Sequence, residues 1–272
     1  MRYFLFLIVF ALGCQDDSNR KVKDISDDSG DLFINSVRRF DVQREKLILH
    51  NSTDLLDVLN MRFIDTVVKY KNQILEIRDP KELPVSIAIA EDRDFGIVSW
   101  NTYTGGTMQI HMAVALFKTS EGIKYKNIGG DMPDSLCSYF NYDTIATLYR
   151  PGHTVYLARG YGRGSTALLW ECVYAFTITQ DSLTEPEIFP SFEYPAQGQL
   201  NNTSLSANIF TEFDMHYWDN SIAQGKRQVT LFLDSANTLM VPKIKDNGGN
   251  TGSYSTIRFN GTCYELSSAK SN

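Results

Sequence analysis

From Val85 onward the chain is built of short, strand-length segments, each closed by a breaker, and no other feature constrains its fold as tightly. "VSIAIAE" and "FGIVSWNTY" flank "DRD", and "TMQIHMAVALFK" and "GIKYKNI" flank "TSEG". "TVYLARGYG", "ALLWECVYAFTIT", "NIFTEFDMHYW", "QVTLFLD", "TLMVPKI", "STIRFN" and "TCYEL" follow, separated by Gly, Asn, Asp, Ser and Pro. Short runs rich in β-branched and aromatic residues, ended by turn formers, predict antiparallel sheets. The 14 Tyr and 16 Phe agree, because flat rings suit a pleated surface. The expected class is mainly β (α+β), with antiparallel sheets in a sandwich-like or blade-like arrangement. A faint echo points the same way. "IAEDRDFGIVSWNTYTGG" and "LFLDSANTLMVPKIKDNGG" both run strand, acidic turn, strand, Gly-Gly turn, and a middle segment from Tyr156 has a related outline. Three such units of roughly 40 residues would suit blade-like hairpin sheets.

One helix is expected before the strands, over about 53–77. Leu56, Leu59, Phe63, Val67, Tyr70, Ile74 and Ile77 recur at helical spacing, Asn51, Ser52 or Thr53 can cap the start, and Pro80 closes the segment.

The first residues read as a targeting segment. "MRYFLFLIVFALGC" has one positive charge at Arg2 and then an unbroken apolar run from Tyr3 to Leu12. That is about half the roughly 20 residues a spanning helix needs, so it reads as a signal-peptide core. Ala11 and Gly13 satisfy an ordinary secretory cleavage site. With Cys14 after Gly13, the segment resembles the lipobox of bacterial lipoproteins. That resemblance implies cleavage between Gly13 and Cys14 and a diacylglycerol on the Cys14 thiol, the one prosthetic group expected, with no other cofactor. The family prefers Leu three places before the cysteine and a small residue two before, where this chain has Ala11 and Leu12. Gln15, Asp16 and Asp17 are similar to the surface-export tags of Bacteroidota lipoproteins. "SWNTYTGGTM" and "GYGRGS" in the body resemble segments of uncharacterised lipoproteins of the same group, a likeness that implies no activity.

The organisation that follows is a signal peptide over 1–13, a polar tether over 14–31 and a single β-rich domain over 32–272. The tether is charged and lacks apolar periodicity, so it is expected to stay solvated. Beyond Cys14, the three cysteines Cys137, Cys172 and Cys263 allow one disulfide with three possible pairings. They form no CxxC and no zinc spacing with histidine.

Motifs that carry chemistry are scarce. No HExxH, GxSxG or GxxxxGK[ST] occurs, and "GYGRGS" leads into a strand rather than a helix, so it reads as a hairpin turn. Asp92 and Asp94 before Gly96 offer part of a calcium loop, but a solvated turn accounts for them better. No catalytic residue and no metal ligand is assigned. Arg150, His153, Arg159 and Arg163 are the candidate anion site, since clustered guanidiniums can hold a carboxylate, phosphate or acidic sugar. Glu171 beside Trp170, or Glu212 and Asp214 near His216, could do acid/base work, though no spacing demands it. Trp100, Tyr103, Tyr161, Trp170 and Trp218, with Tyr217, are candidates for a glycan-stacking platform.

A net charge of −6 without a basic block argues against nucleic acid as a partner. The sequence therefore points to a membrane-anchored envelope lipoprotein, a non-enzymatic binding or assembly module for a glycan or an envelope protein. It is expected on the outer membrane, extending to the cell surface. A glycan hydrolase with an unmarked carboxylate pair and a structural subunit of an outer-membrane assembly are the alternatives.

Overall fold

The computed structural model describes residues 29–78, 80, 83–128, 137–192, 200–214, 231–244 and 250–267. Two helices come first. α1 (Ser29–Leu49) and α2 (Thr53–Lys69) form a helical hairpin, and a short α3 (Lys71–Ile74) follows after a break at Tyr70. The single helix expected over 53–77 is thus two helices, and α1 precedes it. α1 begins at Ser29, inside the stretch expected to be tether. Phe33, Val37 and Phe40 form its buried stripe, and the next position on that stripe is the buried Arg44.

The strands form successive antiparallel meanders. The first sheet is β1 (Ser86–Ile89), β2 (Phe95–Asn101), β3 (His111–Thr119) and β4 (Gly122–Asn127), with the short β5 (Cys137–Ser138) on β3. The second is β6 (Asn141–Arg150), β7 (His153–Arg163) and β8 (Leu168–Thr179), with β9 (Ser182–Thr184) paired to β8. β10 (Phe189–Phe192) pairs with β11 (Leu200–Ser206), and β12 (Asn208–Asp214) returns to the free side of β8. The third sheet is β13 (Phe232–Ser235), β14 (Thr238–Ile244), β15 (Asn250–Phe259) and β16 (Tyr264–Leu266). The echo in the sequence corresponds to these three meanders. Turn chemistry supports them. Gln180 and Asp181 both have positive φ, the geometry of a tight hairpin turn, and Gly152 at φ +86 closes the β6–β7 hairpin after Pro151.

Packing follows from strand alternation. Along β3, Met112, Val114 and Leu116 face the helices, where Phe33, Phe63 and Val67 meet them. Ala113, Ala115 and Phe117 face the second sheet and meet Tyr156, Ala158 and Phe176. On the far side of the second sheet, Val155, Leu157, Val173 and Ala175 pack against Phe189, Leu239, Val241 and Ile257. The layers run helices, first sheet, second sheet, third sheet. Because β3 is covered on both faces, "HMAVALF" is buried throughout and shows no polar alternation. Gly96 lies beneath α3, and a Cβ there would stand 2.8 Å from Leu75 Cδ2. Among the described residues, no helix is long and apolar enough to cross a membrane.

A polar latch sits in the first layer. Trp100 packs edge-on to Phe63 with ring centroids 4.9 Å apart, and Phe63 stacks on Phe40 at 4.1 Å. The Trp100 indole N–H donates to Asn60 Oδ1 at 3.0 Å, and Asn60 Nδ2 donates to the Thr102 carbonyl at 3.0 Å. Asn60 is 1% exposed, so its loss orphans a buried donor and a buried acceptor. Asn60→Ala is therefore expected to lower stability by about 2–4 kcal/mol in denaturant unfolding. Asn72→Ala, at an exposed site, should cost less than about 0.5 kcal/mol. Equal effects would contradict the latch.

Candidate functional site

The first two sheets are joined at one edge by a seam of side-chain hydrogen bonds. Ser86 Oγ donates to the Tyr142 carbonyl at 2.5 Å. Ser99 Oγ donates to Asn141 Oδ1 at 2.9 Å and accepts the Tyr142 N–H at 2.9 Å. Asn141 Nδ2 donates to Tyr161 Oη at 2.7 Å. Beside this seam opens a cleft of about 650 Å³, lined by Pro80, Leu83, Pro84, Val85, Ser86, Ile87, Trp100, Asn101, Gln109, His111, Asn141, Asp143 and Tyr161. A second cleft of about 360 Å³ shares Pro80, Ile87 and Asp143 with it and continues along β1 and β6 to Ile89 and Ile145.

Asp143 reaches the cleft because β6 carries a bulge. Tyr142 pairs with Gly160 and Thr144 with Arg159, so Asp143 is the extra residue. A bulge re-aims a side chain that regular pleating would send elsewhere. Asp143 faces Arg159 as a two-point fork, Nε to Oδ1 at 3.0 Å and Nη2 to Oδ2 at 2.5 Å. The fork holds the guanidinium firmly protonated. Behind Arg159, on β8, Glu171 accepts the Leu231 N–H at 2.5 Å. Burial pushes the Glu171 carboxyl up to about 7, against the pull of the Leu231 amide and the Arg159 charge. Glu171 does not line the cleft.

His111 starts β3 and is 3% exposed. Its ring bonds to the Tyr139 carbonyl, while Nδ1 is buried with no hydrogen-bond partner among the described residues, so Nε2 is the donor. Burial pushes its pKa down to about 4, so the ring is neutral at physiological pH.

The residues singled out in the sequence fall in different places. Arg150, His153, Arg159 and Arg163 do not converge. Arg150 and His153 face each other at one end of the β6–β7 hairpin, and Arg163 ends β7 at the other, roughly 30 Å away at about 3.3 Å per residue. Arg150 donates to the Gly261 carbonyl and lies over the Phe259 ring, His153 is exposed, and Arg163 donates to the Ser165 and Thr166 carbonyls. Among the described residues the aromatic platform does not form either. Trp100 is 1% exposed in the core, and Trp170 packs edge-on to Tyr139. Tyr103 is exposed, but it is held at φ +60 over the Arg44 guanidinium. Tyr161, 46% exposed, lines the cleft together with the buried Trp100. Asp92 accepts the Tyr156 O–H and the Asp94 N–H, and Asp94 pairs with Lys118. Among the described residues, no three His, Cys, Asp or Glu side chains come together in a metal-holding group. Cys172 is buried in β8, and Cys263 sits in the turn before β16. Cys14, Gly13, His216, Tyr217, Trp218 and the side chains of Cys137, Glu212 and Asp214 lie outside the described residues.

No protein-family model, curated protein or solved structure matches this chain.

The two perturbed groups act on stability in opposite directions. His111 takes up a proton near 6.5 when unfolded and near 4 when folded, so its contribution is present above 6.5 and lost as pH falls toward 4. Glu171 holds its proton to about 7 when folded but ionises near 4.5 when unfolded, so its contribution is present below 4.5 and lost as pH rises toward 7. Each is worth on the order of 3 kcal/mol, and over the shared window they largely cancel. Glu171→Gln should unmask a stability that rises from pH 4 to 6.5. His111→Asn should unmask one that falls from pH 4.5 to 7. Denaturant unfolding across that range reads both, and variants with the wild-type pH profile would contradict the assignment.

Proposed function

We infer that this chain is an envelope lipoprotein, anchored through a lipid on Cys14, whose folded body binds a ligand in the cleft between β1 and β6. The observation that carries the binding role is the state of Asp143, the one carboxylate among the described residues lining the larger cleft. Both oxygens of Asp143 are taken by Arg159, and the group with a pKa suited to proton transfer, Glu171, stands behind the wall rather than on it. Glycan hydrolysis by a carboxylate pair needs both carboxyls within reach of the scissile bond. Among the described residues of the larger cleft, Asp143 is paired with Arg159 and the His111 ring is buried, an arrangement that suits recognition better than turnover and favours the binding reading over the hydrolase.

The assembly reading has less support. Leu49, Leu55, Val58 and Met61 are exposed on the helical hairpin, but the same helices also expose Arg38, Arg39, Lys46, Arg62 and Asp65. Apolar side chains interleaved with charges do not make the broad patch that a permanent subunit contact requires.

The anchor rests on the lipobox resemblance of the first 14 residues, with 15 residues from Cys14 to the start of α1 at Ser29. One acyl chain holds a protein only marginally, whereas a diacylglycerol supplies two chains and a stable attachment. Replacing Cys14 with Ser is expected to move the protein from the membrane to the soluble fraction and to abolish incorporation of labelled fatty acid. A wild-type chain that is already soluble and unlabelled would refute the anchor.

A further inference from the structure

We propose that Arg44, buried beneath Tyr103, is a second binding site, one that takes a carboxylate group. Arg44 lines neither cleft, so this site is separate from the one inferred above. The fold encloses the cation and only partly satisfies it. Arg44 is the fourth member of the inward stripe of α1 and is 5% exposed. Its Nη2 donates to Asp41, one turn earlier on the same helix. Its Nε and Nη1 are buried and have no hydrogen-bond partner among the described residues. A guanidinium carries five N–H donors and no acceptor, so whatever completes this site must bring lone pairs. Orphaned donors on a buried charge are costly, and a ligand that accepts from them recovers that cost on binding.

Tyr103 is the cover over these donors. Its ring centroid lies 4.8 Å from the guanidinium carbon, and the Phe40 centroid lies 5.2 Å from it. Ring faces attract the charge but supply no oxygen to the N–H groups. Tyr103 holds φ +60, a left-handed backbone that a bulky residue adopts only at a cost. That conformation lays the ring over Arg44. The ring itself is untethered: Tyr103 is 51% exposed, and its Oη makes no hydrogen bond among the described residues. The backbone beneath it is fixed, with the Tyr103 N–H donating to Asn101 Oδ1 at 2.8 Å and the Thr102 N–H to the Ile110 carbonyl at 2.8 Å. Rotation of the side chain alone therefore uncovers the guanidinium. Asp41 selects the ligand class. With one carboxylate already beside Arg44, a doubly charged phosphate meets more repulsion than a singly charged carboxylate. A carboxylate also presents two oxygens in one plane, which guanidinium N–H groups match, and its charge strengthens each bond beyond what a neutral carbonyl gives.

The test titrates the full chain, in an uncharged detergent, with acetate, benzoate, benzamide and inorganic phosphate. Calorimetry reads binding, and nuclear magnetic resonance follows the Arg44 Nε–H signal. Saturable binding of acetate and benzoate is expected, with a shift of that signal. Tyr103→Gly should tighten it about tenfold, because glycine keeps the φ +60 backbone and removes the cover. Arg44→Met should abolish it, and since Asp41 is partly exposed this variant leaves no fully buried charge unpaired. Should Arg44→Met fail to fold, the other two readouts decide: an unmoved Nε–H signal, or no tightening in Tyr103→Gly, would overturn the proposal. Carboxylate binding that persists in Arg44→Met, or is absent from both the natural chain and Tyr103→Gly, would overturn it too. Benzamide binding as tightly as benzoate, or phosphate more tightly than acetate, would overturn the carboxylate class.

Discussion

The rest of the structure depends on the burial of the first sheet on both faces. β2 and β3 send Val98, Trp100, Met112, Val114 and Leu116 to the helices, and Phe95, Ile97, Ala113, Ala115 and Phe117 to the second sheet. The alternation of a strand makes this division unavoidable, and a one-residue slip would exchange the two faces. The small Ala113, Ala115 and Ala158 share the inter-sheet layer with the large Phe95, Phe176 and Tyr156. A sheet enclosed in this way has few places for polar groups. Ser99 on β2 bonds to Asn141 of the second sheet and Trp100 to Asn60 of α2, so hydrogen bonds cross both of its faces.

The cleft is a consequence of that stacking. Two meanders packed face to face expose their edge strands, β1 and β6, side by side, and unpaired edges are where extended chains pair unless something covers or uses them. Here the Ser86, Ser99 and Asn141 seam ties the sheets together, and the bulge at Asp143 turns a charge toward the opening. Arg159 neutralises that charge at once. Asp143 thus stands on the wall as a paired charge, and the raised carboxyl of Glu171 stays behind it.

The alternation of short strands with Gly, Asn and Pro turns made the antiparallel meanders legible, because turn chemistry is local. α2 was legible for the same reason, through its 3.6-residue stripe. α1 was hidden because Arg44 occupies the fourth position of its stripe and charges crowd the rest; its first residues, 29–31, fell in the stretch expected as tether. Trp100 looked like a surface aromatic because a strand covered on both faces gives no sign of which rings are solvent-exposed. The basic residues of β6 and β7 lie close in sequence, yet an extended strand spreads them along its length. The signal that His111 is buried was its place at the head of "HMAVALF", a run without a polar break. Asp143 left no comparable trace, since a bulge exists only in the pairing of two strands.

The central claim is that the edge between β1 and β6 is where this protein meets its ligand. Hydrogen–deuterium exchange on the full chain, with and without a pooled excess of neutral and acidic oligosaccharides, locates the contact directly. The account predicts slowed exchange at Ser86–Ile89, at Asn141–Ile145 and around Tyr161, with the β6–β7 hairpin end at Arg150 and His153 unchanged. Slowing confined to that hairpin end, or none in either strand, would contradict it.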